Sequence, residues 1–375
     1  MAGDTLKAHP GEHPTLQIDI VRPRDLSAED LARWVEIMSM DPALDHPFLS
    51  PYWAQTVERA QGDGPYAFKV AILREDGRAC GFFPVRAGRF TALPVGAPFN
   101  DLQAVIAEPG LQFDPKDLVR ALGVHRYDFT LQLETQEAFG PYAKGRTDQR
   151  LADMPRGYAA YEAEKRAEGE KLFKKLGTSR RNAEKEFGPL RFTPLAQSSS
   201  AFEGLLMAKS QQLRATGRSD IFGPPWPRRM LEDLLRRRTP DFGGVLFTLH
   251  FGDALAATHL HIHTGKTMNA WLISHDSRFD RVSPGVLLFQ EILKWMGGAG
   301  LQRLDFGAGD YQFKRAFGNI TQGVTYGSVG LASPITWMRQ AAYGASALAE
   351  ALPLGRFSHY PARARRRLDV IRSLR

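Results

Sequence analysis

Cysteine is almost absent: of 375 residues, Cys80 is the only one. A single thiol cannot close an internal disulfide or build a thiolate metal site, so the chain fits a reducing compartment. No stretch reaches the ~18 uninterrupted apolar residues that a membrane-spanning helix needs. Met1 to Pro14 contains Asp4, Glu12 and two prolines but no apolar segment, which argues against a secretory signal. The expected location is the cytoplasm. What is present is the material of real cores: 43% hydrophobic and 24% charged residues are too much apolar content for a disordered chain. At roughly 150 residues per domain the length suggests two domains, or three if one is small. Lys plus Arg number 49 against 41 Asp plus Glu, a formal charge of +8. That balance favours anionic partners such as phosphates, nucleotides or lipid headgroups, and is small for a nucleic-acid binder.

Local signals order the chain. A strand over Leu16 to Val21 precedes Ser27-Ala-Glu-Asp30, a capping-box pattern that opens a helix toward Met40. Ser50-Pro51 opens a second helix. Asp76-Gly77 joins two strands as a hairpin. A strand (Asp101 to Ala107), a helix (Lys116 to Leu122) and a strand (Tyr127 to Glu134) complete the first half. Glu162 to Glu186, dense in Lys, Arg and Glu, reads as one charged connecting helix with a solvated face. Beyond it the order strand, two helices, three strands, helix, strand recurs, followed by a short helix over Asp310 to Phe317 and a last strand around Gly323 to Val329. No residue-level repeat accompanies it. The expected domains are 1–160, 161–332 and a C-terminal helix and tail, 333–375.

This order is that of the GNAT acyltransferase fold, and two copies in one chain resemble the FemAB-type arrangement. Three segments of the second half carry a further resemblance: Ser179-Arg180-Arg181-Asn182, then Arg278 to Leu288, then Asp305 to Lys314. With Pro47 to Trp53 they resemble the hallmarks of the CelD/BcsL family, GNAT-related proteins tied to bacterial cellulose and other exopolysaccharides. The resemblance implies an α/β (α+β) fold of two tandem GNAT-like domains with mixed central sheets and a C-terminal helical basic tail. It also implies an N-acetyltransferase that uses acetyl-CoA, or another acyl-CoA, as co-substrate and no metal. The acceptor it implies is an amino sugar of an exopolysaccharide precursor. The first half, which lacks a comparable glycine-rich, acid-rich loop, is expected to be non-catalytic.

Ser283 as N-cap, Pro284 in the first turn and Gly285 leave a helix tip with unpaired backbone N–H groups, and Arg278 and Arg281 stand beside it. Together with Val286 this tip is the expected seat of the donor's pyrophosphate. The usual Gln/Arg-x-x-Gly-x-Gly/Ala spacing is not met, and an ordinary capped helix is the alternative. Acyl transfer from a thioester needs a base to free the amine and an acid to meet the thiolate. Asp305 or Asp310 is the expected base, and Tyr311 resembles by position the GNAT tyrosine that protonates the thiolate. Lys314, with Arg180 and Arg181, would neutralise a substrate phosphate. Alternatively Asp310 caps the short helix and pairs with Lys314.

His259, His261 and His263 alternate with Leu260 and Ile262, so the three imidazoles share one face of a strand. The outer two stand too far apart for one metal ion. That polar face is expected to be a solvated or hydrogen-bonded sheet face or, alternatively, to border the acceptor cleft, with His261 as a base near neutral pH and His259 beside the substrate. The tail from Pro361 to Arg375 is basic beyond what a fold requires. Arg363, Arg366 and Arg367 suit a forked grip on a phosphodiester, including a cyclic dinucleotide, or contact with an anionic inner-leaflet surface, the alternative being a plain solvated tail. Two other functions compete: a FemAB-like transferase using aminoacyl-tRNA, and a non-catalytic effector of polysaccharide synthesis whose tail senses an anionic messenger.

Overall fold

The computed structural model describes residues 16–351 and 360–374. The first half runs β1 (Gln17–Val21), α1 (Ala28–Met40), α2 (Pro51–Gln61), β2 (Ala67–Glu75), β3 (Arg78–Ala87), β4 (Thr91–Pro94), β5 (Ile106–Ala107), α3 (Pro115–Ala121), β6 (Arg126–Leu133) and β7 (Ala143–Asp153). Two helices, α4 (Gly157–Ala167) and α5 (Leu172–Phe187), lead into the second half. There follow β8 (Leu190–Thr193), α6 (Ser199–Ala215), α7 (Pro225–Arg236), β9 (Arg238–Thr239), β10 (Phe242–Phe251), β11 (Ala254–Thr264) and β12 (Thr267–His275). The chain ends with α8 (Pro284–Gly298), β13 (Arg303–Ala308), α9 (Gln312–Phe317), β14 (Ile320–Gly330), α10 (Pro334–Ala351) and α11 (Tyr360–Leu374).

Short-range chemistry accounts for many of these bounds. The Ser27 hydroxyl accepts from the Asp30 N–H at 3.0 Å, and the Ser50 hydroxyl from the Tyr52 N–H at 3.2 Å. Three expectations are corrected. The charged stretch Glu162 to Glu186 is two helices, parted at Gly169. Most of Asp101 to Ala107 is loop, with only Ile106 and Ala107 forming β5, and the strand between β3 and β6 in the sheet is β4, which ends where the Pro/Gly-rich run from Pro94 to Pro98 begins. An additional strand, β7, follows β6.

That strand decides the topology. The sheet order is β1-β2-β3-β4-β6-β14-β7-β13-β12-β11-β10-β8, with β5 on β3 and β9 on β10. The last strand of the second half, β14, inserts beside β6 of the first. In exchange β7 pairs with β13 through Arg303↔Asp153, Leu304↔Ala152 and Asp305↔Leu151. Read outward from the β14/β7 pair, both directions give equivalent elements in the same order, so the halves are related by a pseudo-two-fold. The two units, with their expected boundary at residue 160, share one sheet.

Both faces of the second half's sheet are covered. Phe247, Leu249, Met268 and Leu304 pack beneath Leu288, Phe289 and Ile292 of α8. On the other face Leu246, Leu260 and Ile262 meet Met230 and Leu234 of α7, together with Trp53 and Val57 of α2. The first half thus completes the core of the second. Each fully buried Leu, Ile, Val or Met contributes roughly 1.5–3 kcal/mol, so this shared layer holds the halves together. Among the described residues no helix is long and apolar enough to cross a membrane.

Candidate active site

β12 and β13 are parallel and pair only through Thr267–Asn269 and Arg303–Asp305. Beyond Asn269 and Asp305 the pairing stops, and at that point polar groups gather. Asp305 is 0% exposed. Its Oδ1 accepts from the Gly307 N–H at 2.7 Å; its Oδ2 lies 3.1 Å from His46 Nε2 and 3.4 Å from Asn269 Nδ2. His46 Nδ1 accepts from the Phe48 N–H at 3.3 Å, which leaves Nε2 as the donor to Asp305.

Gly307 and Gly309 take φ values of +71° and +109°, backbone that a side chain rarely adopts, and so turn the chain sharply after β13. The turn brings in Lys314, whose Nζ donates to the carbonyls of Gly307 (3.1 Å) and Ala308 (2.8 Å) and sits 5.4 Å from the centre of the Tyr311 ring. Asp101, from the first half's loop, lies against Gly307, and its backbone carbonyl accepts from the Gln149 amide. Burial, and next the neighbouring Asp305, push the Asp101 carboxyl up to about 7, opposed by Lys314 and by a hydrogen bond with Asn269. Burial draws the Lys314 ammonium down against the pull of Asp305 and Asp101. Two carboxyls, an ammonium and an imidazole therefore converge, and the first half, expected to be non-catalytic, supplies His46 and Asp101.

A pocket of about 660 Å³ opens beside α9. Its walls are Lys171, Lys175 and Ser179 of α4–α5, Ser283 and Val286 at the start of α8, and Tyr311, Phe313 and Arg315 of α9. Lys171, Lys175 and Arg315 outweigh the one lining carboxylate, Glu170, which makes this an anion-compatible cavity. Arg315 is, however, paired with Asp310, and the Val286 and Leu287 N–H groups, expected to be unpaired, bond to the Ser283 carbonyl. Ser283 stands in the left-handed region at φ +53°, ψ +57°, and its hydroxyl does not cap α8, contrary to expectation.

The residues singled out from the sequence divide sharply. Ser283, Val286 and Tyr311 line the pocket, and Tyr311 is 63% exposed. Gly285 does not; it packs against His259 and His275. Arg278 pairs with Asp276 at 2.6 Å and Arg281 with Glu186, so neither flanks the pocket. Arg180 pairs with Glu291 on α8, and Arg181 donates to Thr178 at 3.1 Å. Asp310 neither caps α9 nor meets Lys314: it faces outward to Arg315 at 2.5 Å.

The histidine strand is corrected most clearly. His259 and His261 lie in the core under Phe289, with ring centroids 4.5 and 6.0 Å from it, and border no cleft. Burial drives the His261 imidazole down to about 3 and His259 well below its usual range, so both are held neutral. Arg363, Arg366 and Arg367 fall on α11, a docked helix. Its Asp369 is held by Arg339 at 2.9 Å, and its Arg372 donates to the Tyr66 hydroxyl at 3.1 Å. Among the described residues no cluster of His, Cys, Asp and Glu could hold a metal ion.

Residues 170–315 match the profile of the GNAT acetyltransferase domain family. This span contains α5, the α8 tip, Asp305 and the α9 turn, so residues 170–315 carry a GNAT-type acyltransferase domain. FemX shares the fold: TM-score 0.55 at 9% identity, over 85% of this chain and 99% of that one. A tandem GNAT protein from the clavulanic acid biosynthesis pathway is similar at TM-score 0.47 and 12% identity, covering 85% and 99%. So is the C-terminal domain of a lysylphosphatidylglycerol synthetase from Agrobacterium fabrum, at TM-score 0.47 and 15% identity, covering 84% and 96%. No curated protein matches the chain.

Proposed function

We propose that this protein transfers an acyl group, in the simplest case acetyl, from acyl-CoA to the amine of an amino sugar in an exopolysaccharide precursor. One observation carries the reading. The α9 turn forms a wall of the cationic pocket with Tyr311 and Arg315, while its Lys314 reaches to the Asp101–Asp305 pair. A thioester held along α5 and α8 would meet a base at that turn. GNAT domains use acyl-CoA, and Lys171 and Lys175 suit its phosphates.

In this reading Asp101 takes the proton of the attacking amine, because a carboxyl raised to about 7 is matched to work near neutral pH. The amine nitrogen bonds to the thioester carbonyl carbon, the C–S bond breaks, and Tyr311 gives its proton to the departing thiolate. Asp305, fixed by His46, Asn269 and the Gly307 N–H, positions the turn, and its charge raises the proton affinity of Asp101. The paired carboxyls favour a cationic amine over a neutral hydroxyl as acceptor. The sugar is supported by the resemblance of the Arg278 to Leu288 and Asp305 to Lys314 segments. Such precursors are made in the cytoplasm or at the inner face of its membrane.

Calorimetric titration with acetyl-CoA and with desulfo-CoA tests the donor. Saturable binding, weakened at least tenfold by Lys171→Ala with Lys175→Ala and unchanged by Arg281→Ala, is expected. Absence of binding at millimolar ligand overturns it, and protection of aminoacyl-tRNA in the same pocket would replace the donor. Thiol release with amino-sugar acceptors, and none with their hydroxyl analogues, tests the acceptor.

A further inference from the structure

A second cationic site lies on the opposite face of the sheet from the acyl pocket. A groove of about 1040 Å³ runs between α11 and the α6–α7 connection. Arg218 stands on one wall, and Arg363, Arg366 and Arg367 stand on the other. Among the described residues no carboxylate comes within 4 Å of any of these four guanidinium groups. The arginines around them are occupied: Arg339 and Arg372 reach Asp369 and Asp128, and Arg365 lies 4.1 Å from the centre of the Tyr343 ring.

The arrangement is unfavourable by itself. Arg363, Arg366 and Arg367 follow i, i+3, i+4 spacing on one face, where like charges repel. They also occupy the N-terminal half of a helix with no acidic residue in its first turn, at the end where the backbone dipole disfavours cations. α11 is meanwhile anchored near its C-terminus through Asp369, Arg372 and the Leu374 carbonyl, which accepts from Trp226 at 3.3 Å. The arginine face is therefore held in place. Between the two walls Leu213, Ile221, Val370 and Pro98 form an apolar floor.

We infer that this groove binds a phosphate ester that carries an apolar group, the phosphate gripped by guanidinium forks and the apolar part laid on the floor. A soluble nucleoside diphosphate and an anionic lipid headgroup share this chemistry. The site is separate from the acyl pocket, so its test does not depend on acyl transfer.

The full chain is titrated with uridine diphosphate and, separately, sedimented with phosphatidylglycerol vesicles against phosphatidylcholine vesicles. The acyl pocket is disabled throughout by Lys171→Ala with Lys175→Ala, so that binding reports the groove alone. At least one probe is expected to bind saturably: the nucleotide identifies a soluble ligand, the vesicles a bilayer. The triple variant Arg363→Gln, Arg366→Gln, Arg367→Gln should weaken binding at least tenfold. The charge-matched triple Arg89→Gln, Lys144→Gln, Lys266→Gln should change it less than threefold. With no ligand, the groove triple should melt no lower than the parent, since it relieves repulsion. If it melts lower, Arg218→Gln on the facing wall decides, with at least a threefold loss expected. The inference is overturned if neither probe binds at millimolar concentration, if both triples weaken binding equally, or if Arg218→Gln leaves affinity unchanged.

Discussion

Asp101 keeps its proton to about pH 7 because it is enclosed and because Asp305 stands beside it. A base in that condition gives a rate that rises about tenfold per pH unit below 7 and levels above it. Asp101→Asn should remove this limb and lower kcat by roughly 10²–10⁴-fold with little change in KM, measured as pH–rate profiles of both proteins. His261 gives a stability prediction instead. Its folded-state pKa, about 3, lies below the ordinary 6.5, so between those pH values the unfolded chain binds a proton that the native chain refuses. Stability is full above pH 6.5 and falls as pH drops, by up to about 1.4 kcal/mol per pH unit. Urea unfolding at stepped pH should show this slope, and His261→Leu should make it shallower. Asp305, Tyr311 and Lys314 were legible because glycines and acids crowd one short segment. Asp101 and His46 were not, since His46 lies 259 residues from the aspartate it serves. The available signal was His46 just before the Pro47 to Trp53 segment and Asp101 just after a Pro/Gly-rich stretch.

At the scale of elements, helix starts could be read from Ser27 and Ser50 because capping is local chemistry. β7 could not, because Ala143 to Asp148 is polar and largely exposed, and only Gln149, Leu151 and Ala152 are buried. No alternation marks it; its partners β13 and β14 make it a strand. The α8 tip gives a prediction of its own. Ser283 sits in left-handed backbone, which disfavours a non-glycine residue by roughly 1–2 kcal/mol, and its hydroxyl caps nothing. Glycine there costs about 0.4–1 kcal/mol through the unfolded chain. The strain is the larger effect, so Ser283→Gly should raise Tm slightly in a calorimetric scan. Failure to stabilise would show that the serine hydroxyl makes a contact that outweighs the strain.

For the whole molecule, the duplicated order of elements was visible in the sequence, but the exchange of β7 and β14 was not, since pairing across such separations leaves no local trace. The exchange predicts one cooperative unit. Amides of β3 in the first half and β11 in the second should lose hydrogen-exchange protection at the same denaturant concentration, reporting the same opening free energy. Two separate transitions would mean that the shared sheet and the α2–α7 core do not couple the halves. The strand exchange also bears on how a ribosome can deliver this fold. When β7 has emerged, the sheet edges of β6 and β7 still await β14, which ends at Gly330. At about 5–20 residues per second that interval is on the order of 10–35 s. For that time the nascent chain presents two unsealed edges to the cell, which makes it a client for chaperones that shield them until translation is nearly complete.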